Sequence, residues 1–306
     1  MNYKIILMIF ISALFYSCHA QKSNINSEEK PTETNTDYFG NYTLNNKTFG
    51  TKTSVVIDGD YRLITTNALP NHETGEYPRK GNPNKISAQN KTYKIPLKPI
   101  FTGIAKWARE PGVALNGVKF EPETAEMVIC DSGENFKVEA VQDLIDLGLD
   151  FNNAHVQPTG EYHYHGIAEG LVEAFDSSED LVHLGFAKDG FPIYYSKSGI
   201  YKPSYQIING TYSATDCTYS NPKTSIDVEL DGDEFDGTFV SDWEFVKGKG
   251  DLDECNGIYL NGTYMYIITD TYPYVGRCLM GEFEEERHPG PPPGREGRGQ
   301  RPPRNR

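Results

Sequence analysis

Apolar and polar residues alternate in short runs along most of the chain. Residues 54–57 (SVVI) and 61–66 (YRLITT) read as two strands joined by a hairpin-type turn at Asp58-Gly59-Asp60. Residues 91–99 alternate in part and predict another strand. In 112–120 (GVALNGVKF) an Asn116-Gly117 turn separates two short apolar runs. Residues 181–195 (LVHLGFAKDGFPIYY) predict a strand, a turn at Asp189-Gly190 and a second strand opened by Pro192. One stretch differs. In 139–147 (EAVQDLIDL) the apolar residues Val141, Leu144, Ile145 and Leu147 predict a short amphipathic helix, ended by Gly148. Residues 67–89 are rich in turn formers and predict a long loop around His72, and 196–224 read as peripheral turns. The pattern predicts a mainly β fold, a β-sandwich or barrel-like domain with a few short helices and long turn-rich loops. Abundant Tyr, Asn, Gly and Thr agree with it.

The two ends are different in kind. Lys4 precedes an apolar run over 5–16 that is too short to span a membrane comfortably and fits the core of a signal peptide. Ser17-Cys18 after that run resembles a bacterial lipoprotein cleavage site. The expectation is a signal peptide over 1–18, a lipidated Cys18, and a lipid bilayer as partner in the cell envelope, as for an outer-membrane lipoprotein. An ordinary secretory cut near Ala20 is the competing reading. Residues 19–50 read as a flexible tether, 51–282 as the folded domain, and 283–306 as a disordered Pro/Gly/Arg tail. Beyond Cys18, four cysteines remain, Cys130, Cys217, Cys255 and Cys278. In an oxidising compartment two disulfides with three possible connectivities follow; four separate buried thiols are the alternative. No CxxC occurs.

A net charge of −14 and a mean hydropathy of −0.57 exclude nucleic acid as a partner, since phosphate binding needs a basic surface. Asp231, Asp233 and Asp236 raise the question of calcium. Their spacing does not match an EF-hand loop, and acidic turns between strands are the preferred reading.

The candidate chemistry lies in 149–166 (LDFNNAHVQPTGEYHYHG), which holds His155, His163 and His165. Tyr162-His163-Tyr164-His165 alternates, so in a strand both imidazoles share one face and both tyrosines the other. Two imidazoles one strand step apart, with His155 arriving across a turn at Pro158-Thr159-Gly160, suit one transition metal. A hairpin with structural hydrogen-bonding histidines is the plain alternative. An internal echo bears on the choice. L-D-x-x-N followed by G-x-Y-x-Y occurs at 149–164 and again at 252–266, where Met265 and Ile267 stand at the histidine positions. The hairpin is expected to stand without its histidines.

EYHYHG, the preceding Asn-x-x-His and the following GFAKDGFPIYY resemble the signature of the YHYH-domain family. The likeness also takes in 67–72 (NALPNH), 114–118 (ALNGV), 250–257 (GDLDECNG) and Tyr272-Pro273-Tyr274 with Cys278. It covers most of residues 55–282. It implies an exported bacterial protein, often a lipoprotein, with a β-rich domain, and it supplies no reaction. Similar sequences carry a Cys and a Gly before the first histidine. This chain has Asn152-Asn153-Ala154, so a disulfide there is absent, and Cys130 and Cys217 pair elsewhere or not at all.

Three functions compete. The first is a site for zinc or copper on His155, His163 and His165, with His72 or His183 as fourth ligand. Tyr162, Tyr164 and Asp189 would support it by hydrogen bonds, and for copper Met265 and Met280 would add thioether ligands. The second is a metal-independent surface module for a glycan or peptide, with Trp107 and Trp243 as candidates. The third is metal-free acid/base catalysis by a histidine near Glu161, Asp189 or Glu169; no Gly-x-Ser-x-Gly or HExxH motif supports it. The ligand, a small molecule or polymer, stays open.

Overall fold

The computed structural model describes residues 37–221 and 224–284. The expected signal peptide with Cys18, most of the stretch read as a tether and nearly all of that read as a tail lie outside the described residues. Twenty strands are described. The chain opens with β1 (Tyr42–Asn46), β2 (Thr51–Asp58), β3 (Tyr61–Thr66), β4 (Lys91–Pro96) and β5 (Phe101–Trp107). There follow β6 (Gly112–Ala114), β7 (Lys119–Phe120), β8 (Glu123–Cys130), β9 (Asn135–Glu139), β10 (Ala154–Val156) and β11 (Tyr162–Tyr164). After helix α1 (Glu169–Ala174) come β12 (Leu181–Ala187), β13 (Pro192–Ser196), β14 (Tyr205–Ile207), β15 (Cys217–Asn221) and β16 (Thr224–Val228). The last are β17 (Trp243–Phe245), β18 (Gly257–Leu260), β19 (Thr263–Ile268) and β20 (Cys278–Gly281).

Three sheets carry the architecture. A four-stranded antiparallel sheet, β1-β2-β3-β4, faces an eight-stranded mixed sheet in the order β10-β11-β7-β6-β12-β13-β19-β18. Alternation dictates what lies between them. Val55 and Ile64 point inward from the first sheet, and Val113, Phe120, Tyr164 and Phe186 belong to the same buried cluster. A third sheet, β16-β15-β8-β9, has its own core around Val128, Val138, Tyr219 and Phe239. The result is a mainly β, sandwich-like fold, and no sheet closes into a barrel.

Disulfides join Cys130 to Cys217 and Cys255 to Cys278. The first links directly opposed residues of β8 and β15. These bonds are compatible with an exported protein. Among the described residues no helix is long and apolar enough to cross a membrane.

Three expectations are corrected. Residues 139–147 form no helix. Glu139 ends β9, and the Gln142 side chain bonds both backbone groups of Ile145 (2.6 and 2.8 Å), taking the place of helical partners. Ile145 and Leu147 then turn into the third sheet's core while Leu144 stays exposed. Ordered structure begins before Thr51: β1 lies within the stretch read as tether, held by buried Tyr42, whose hydroxyl donates to the Leu115 carbonyl (2.9 Å). Residues 196–224 are more than peripheral turns, since they supply Tyr212, Cys217 and Tyr219 to a core. The long loop 67–89 does form, and its polar groups close on the histidine hairpin: Tyr77 donates to the Ala154 carbonyl, Asn82 and Asn84 to that of Val156.

Candidate metal centre

The eight-stranded sheet is built twice over. At its centre β6 and β12 pair antiparallel, Gly112 opposite Ala187 and Ala114 opposite Gly185. Both positions require glycine, because a Cβ would run into the facing backbone, at Phe186 O or Val113 O. Each strand then turns at a polar-glycine pair, Asn116-Gly117 or Asp189-Gly190, both glycines having positive φ. Beyond the turn, β7 takes β11 as a parallel neighbour and β13 takes β19. The outer hairpins match in detail. Tyr162 donates to Asp150 and Tyr264 to Asp253, each at 2.8 Å. Tyr164 reaches its half's turn residue, Asn116, and Tyr266 reaches Asp189. The echo seen in sequence is therefore half of a larger one: 112–120 (GVALNGVKF) repeats at 185–193 (GFAKDGFPI). That signal was readable at a spacing of about 73 residues and was missed.

The chemistry sits in the first copy alone. His155 on β10 is paired with His163 on β11, and His165 follows one strand step on, its N–H bonded to the Asn153 carbonyl (2.8 Å). The ring centroids lie 4.6–4.8 Å apart, and one nitrogen from each ring lies within 4.8 Å of the others. In the second copy the equivalent positions, by pairing, are Ile258, Met265 and Ile267. His155 Nδ1 faces the Leu147 carbonyl (3.0 Å) and His163 Nδ1 the Glu161 carbonyl (3.3 Å). A carbonyl only accepts, so both Nδ1 atoms carry the proton and both Nε2 lone pairs are free. His165 is buried; its ring interacts with the Pro122 backbone, but neither ring nitrogen makes a hydrogen bond of normal geometry. Burial, then the neighbouring imidazoles, holds His163 and His165 well below the ordinary histidine range, and burial lowers His155. All three are neutral at pH 7, the form that ligates metal.

A charged network borders the triad. Lys119, beside His163 in the parallel register, is almost fully buried and bonds Glu110 (2.5 Å), Glu121 (2.8 Å) and, more distantly, Glu161 (3.6 Å). Gln157 and Arg109 also donate to Glu121, whose Oε2 lies 3.9 Å from His163 Nε2. Burial alone would lower the Lys119 pKa, but Glu121 and Glu110 outweigh it and the net shift is upward. Sequence reading missed Lys119 and Glu121, because alternating charges on a strand look like a solvated face.

The remaining candidates lie elsewhere. His72 is occupied at both nitrogens, by the Glu73 carbonyl (2.8 Å) and the Tyr164 hydroxyl (2.6 Å). His183 bonds the Gly185 carbonyl (2.9 Å) and stacks on Phe39. Neither joins the triad, so among the described residues no fourth histidine completes it. Tyr162 and Tyr164 point into the core and serve the fold rather than the imidazoles. Asp189, Met265 and Met280 belong to the second copy, where the Tyr266 hydroxyl bonds Asp189 and the Met280 N–H; the thioether set for copper is not assembled. Glu161 is buried near Lys119, with Oε1 unpartnered, and Glu169 is exposed at the start of α1. Trp107 donates to Glu123 and Trp243 stacks on Tyr272. Asp231, Asp233 and Asp236 are exposed, as acidic turns are.

Three neutral imidazoles with converging lone pairs suit zinc, copper or nickel. Zinc–nitrogen bonds of about 2.0–2.1 Å place tetrahedral ligands about 3.3 Å apart, so the rings would draw together by up to about 1.5 Å on binding. His155 is only partly buried, which leaves a route from solvent.

Fold and site together define a sandwich-like β protein with one buried histidine triad in a duplicated sheet. The family model described as YHYH protein matches residues 92–281. The chain belongs to that family. No curated protein and no solved structure matches it.

Proposed function

We propose that this is an exported, envelope-anchored protein that holds one transition-metal ion, zinc or copper, on His155, His163 and His165, for binding or for metal-dependent catalysis. The observation that carries the reading is the contrast between copies. The same hairpin closes on Ile258, Met265 and Ile267 in one half and on three histidines in the other. Folding does not need imidazoles there, and His165 makes no hydrogen bond of normal geometry beyond its contact with the Pro122 backbone. Three neutral ligands leave an open coordination position, where water or a small-molecule or polymer ligand would bind. Lys119 and Glu121 would then set the charge beside it. The two disulfides support export, and Cys18 would supply the lipid anchor.

The test is metal analysis of purified protein after saturation with zinc or copper and desalting, for wild type and for the H163A/H165A double variant. One ion per chain in wild type and none in the variant supports the proposal. An empty wild type, or equal loading of both, overturns it.

A further inference from the structure

We propose that the second copy carries a separate binding site, a groove for short acidic sugars in which Arg62 reads a uronic-acid carboxylate. The duplicated sheet offers equivalent surfaces in its two halves. In the first, Lys119, Glu121 and His163 make one polar side of the histidine site. Their equivalents by register are Pro192, Tyr194 and Met265, and these line an open groove of about 920 Å³, within the size range of ligand sites. The groove does not include the triad.

Two features specify the ligand. The first is an aromatic rim. Phe39, Phe101 and Tyr259 border the groove and are 47%, 39% and 53% exposed, with Phe101 and Tyr259 centroids 5.2 Å apart. Large rings left in solvent around one concavity suit stacking on the apolar face of a sugar ring, and the hydroxyl of Tyr194 with Asn261 offers hydrogen bonds between them. The second is Arg62. It points inward from β3 and is 97% buried, as its relative exposure of 3% states. Its guanidinium lies 3.6 Å over the Phe186 ring and gives one N–H to the Phe39 carbonyl (2.9 Å). Nε has no partner, and no carboxylate lies within 4.0 Å among the described residues. Every other strongly buried cation at the two sites, Lys119 and Arg277, has its acid. Asp37 acts on Arg62 through space and not by contact, and a buried guanidinium with no acid bonded to it, opening on a groove, is complementary to a carboxylate. The chain's net charge of −14 disfavours a long polyanion and favours a short oligosaccharide with few carboxylates.

The site makes no use of the triad, so it is independent of the metal reading. The experiment is calorimetric titration of the mature chain, with EDTA present, using trigalacturonate and neutral galactotriose. Expected are binding of trigalacturonate at least tenfold tighter than galactotriose, loss of that preference by about tenfold to a hundredfold in R62Q, and weaker binding of both sugars in Y259A. Tyr259 is an exposed rim residue, so Y259A remains a test if R62Q does not fold; a wild-type preference that fades with added salt then reports the charge. No binding, equal affinity for the two sugars, or binding unchanged in Y259A overturns the proposal.

Discussion

Replacing His165 by the residue its own duplicate carries, isoleucine, separates a functional imidazole from a structural one. In wild type without metal, His165 is 2% exposed and, beyond a contact with the Pro122 backbone, neither ring nitrogen makes a hydrogen bond of normal geometry. An unmatched buried polar group costs about 1–3 kcal/mol, and isoleucine removes it while filling a site of similar size, as Ile267 does at 1% exposure in the other half. H165I is therefore expected to be about 1–3 kcal/mol more stable than wild type in chelator. With zinc at about a thousand times its dissociation constant, wild type gains about 4.1 kcal/mol by mass action and H165I gains little. The order of stability then reverses between the two conditions. Urea unfolding followed by tryptophan fluorescence, with EDTA and with zinc, measures it. The gain is expected to be smaller for H155I, because His155 gives up a 3.0 Å hydrogen bond to Leu147. The two changes will not add, with the rings 4.6 Å apart. If H165I is less stable than wild type in EDTA and zinc moves neither protein, the histidine is part of the scaffold and the reasoning fails.

Burial pushes the Asp189 carboxyl up to about 6 from 3.8, partly offset by the Tyr266 hydroxyl and the N–H groups of Phe191 and Gly281. A raised folded-state pKa gives stability that is full below about pH 4 and is lost as pH rises through 6, about 3 kcal/mol in all. D189N should lack that slope, and parallel urea midpoints for the two proteins from pH 4 to 7 would count against it; the opposing titration of His183, held down at about 4 by burial, is common to both. Arg277 grips buried Glu139 through both terminal nitrogens (2.7 and 2.5 Å), so R277M should cost about 3–5 kcal/mol in urea unfolding by stranding the carboxylate, and R277M/E139L should recover most of it. An unchanged single variant would show the pair to be dispensable. Growth with a clickable fatty acid should label wild type and leave C18S unlabelled, and equal labelling of the two would remove the anchor at Cys18.

The parts of the fold legible in the sequence are those whose cause is local. The turns at Asp58-Gly59-Asp60, Asn116-Gly117 and Asp189-Gly190 come from residues that reverse the chain, and all three join adjacent strands. The YHYH alternation placed histidines and tyrosines on opposite faces for the same reason. What failed depends on contacts distant in sequence. Residues 139–147 have helical spacing, but a single turn gains little by itself, and burial of Ile145 and Leu147 against the third sheet decides their conformation. His72 and His183 looked like ligands because a lone histidine carries no mark of its partner; Tyr164 and Gly185 took them. Lys119, Glu121 and Arg62 carry no local mark of burial, yet all three point inward, since alternation gives the period of a strand and not which face is buried. The duplication supplies what local pattern lacks. Where the two copies share a residue type, as at Asp150 and Asp253, Tyr162 and Tyr264 or Tyr164 and Tyr266, the side chain makes the same structural bond in each half. Where they diverge, the first copy gathers imidazoles and ion pairs and the second an aromatic groove. Divergence inside a shared frame singles out the residues that the scaffold itself does not require, and on that ground a metal is proposed for His155, His163 and His165.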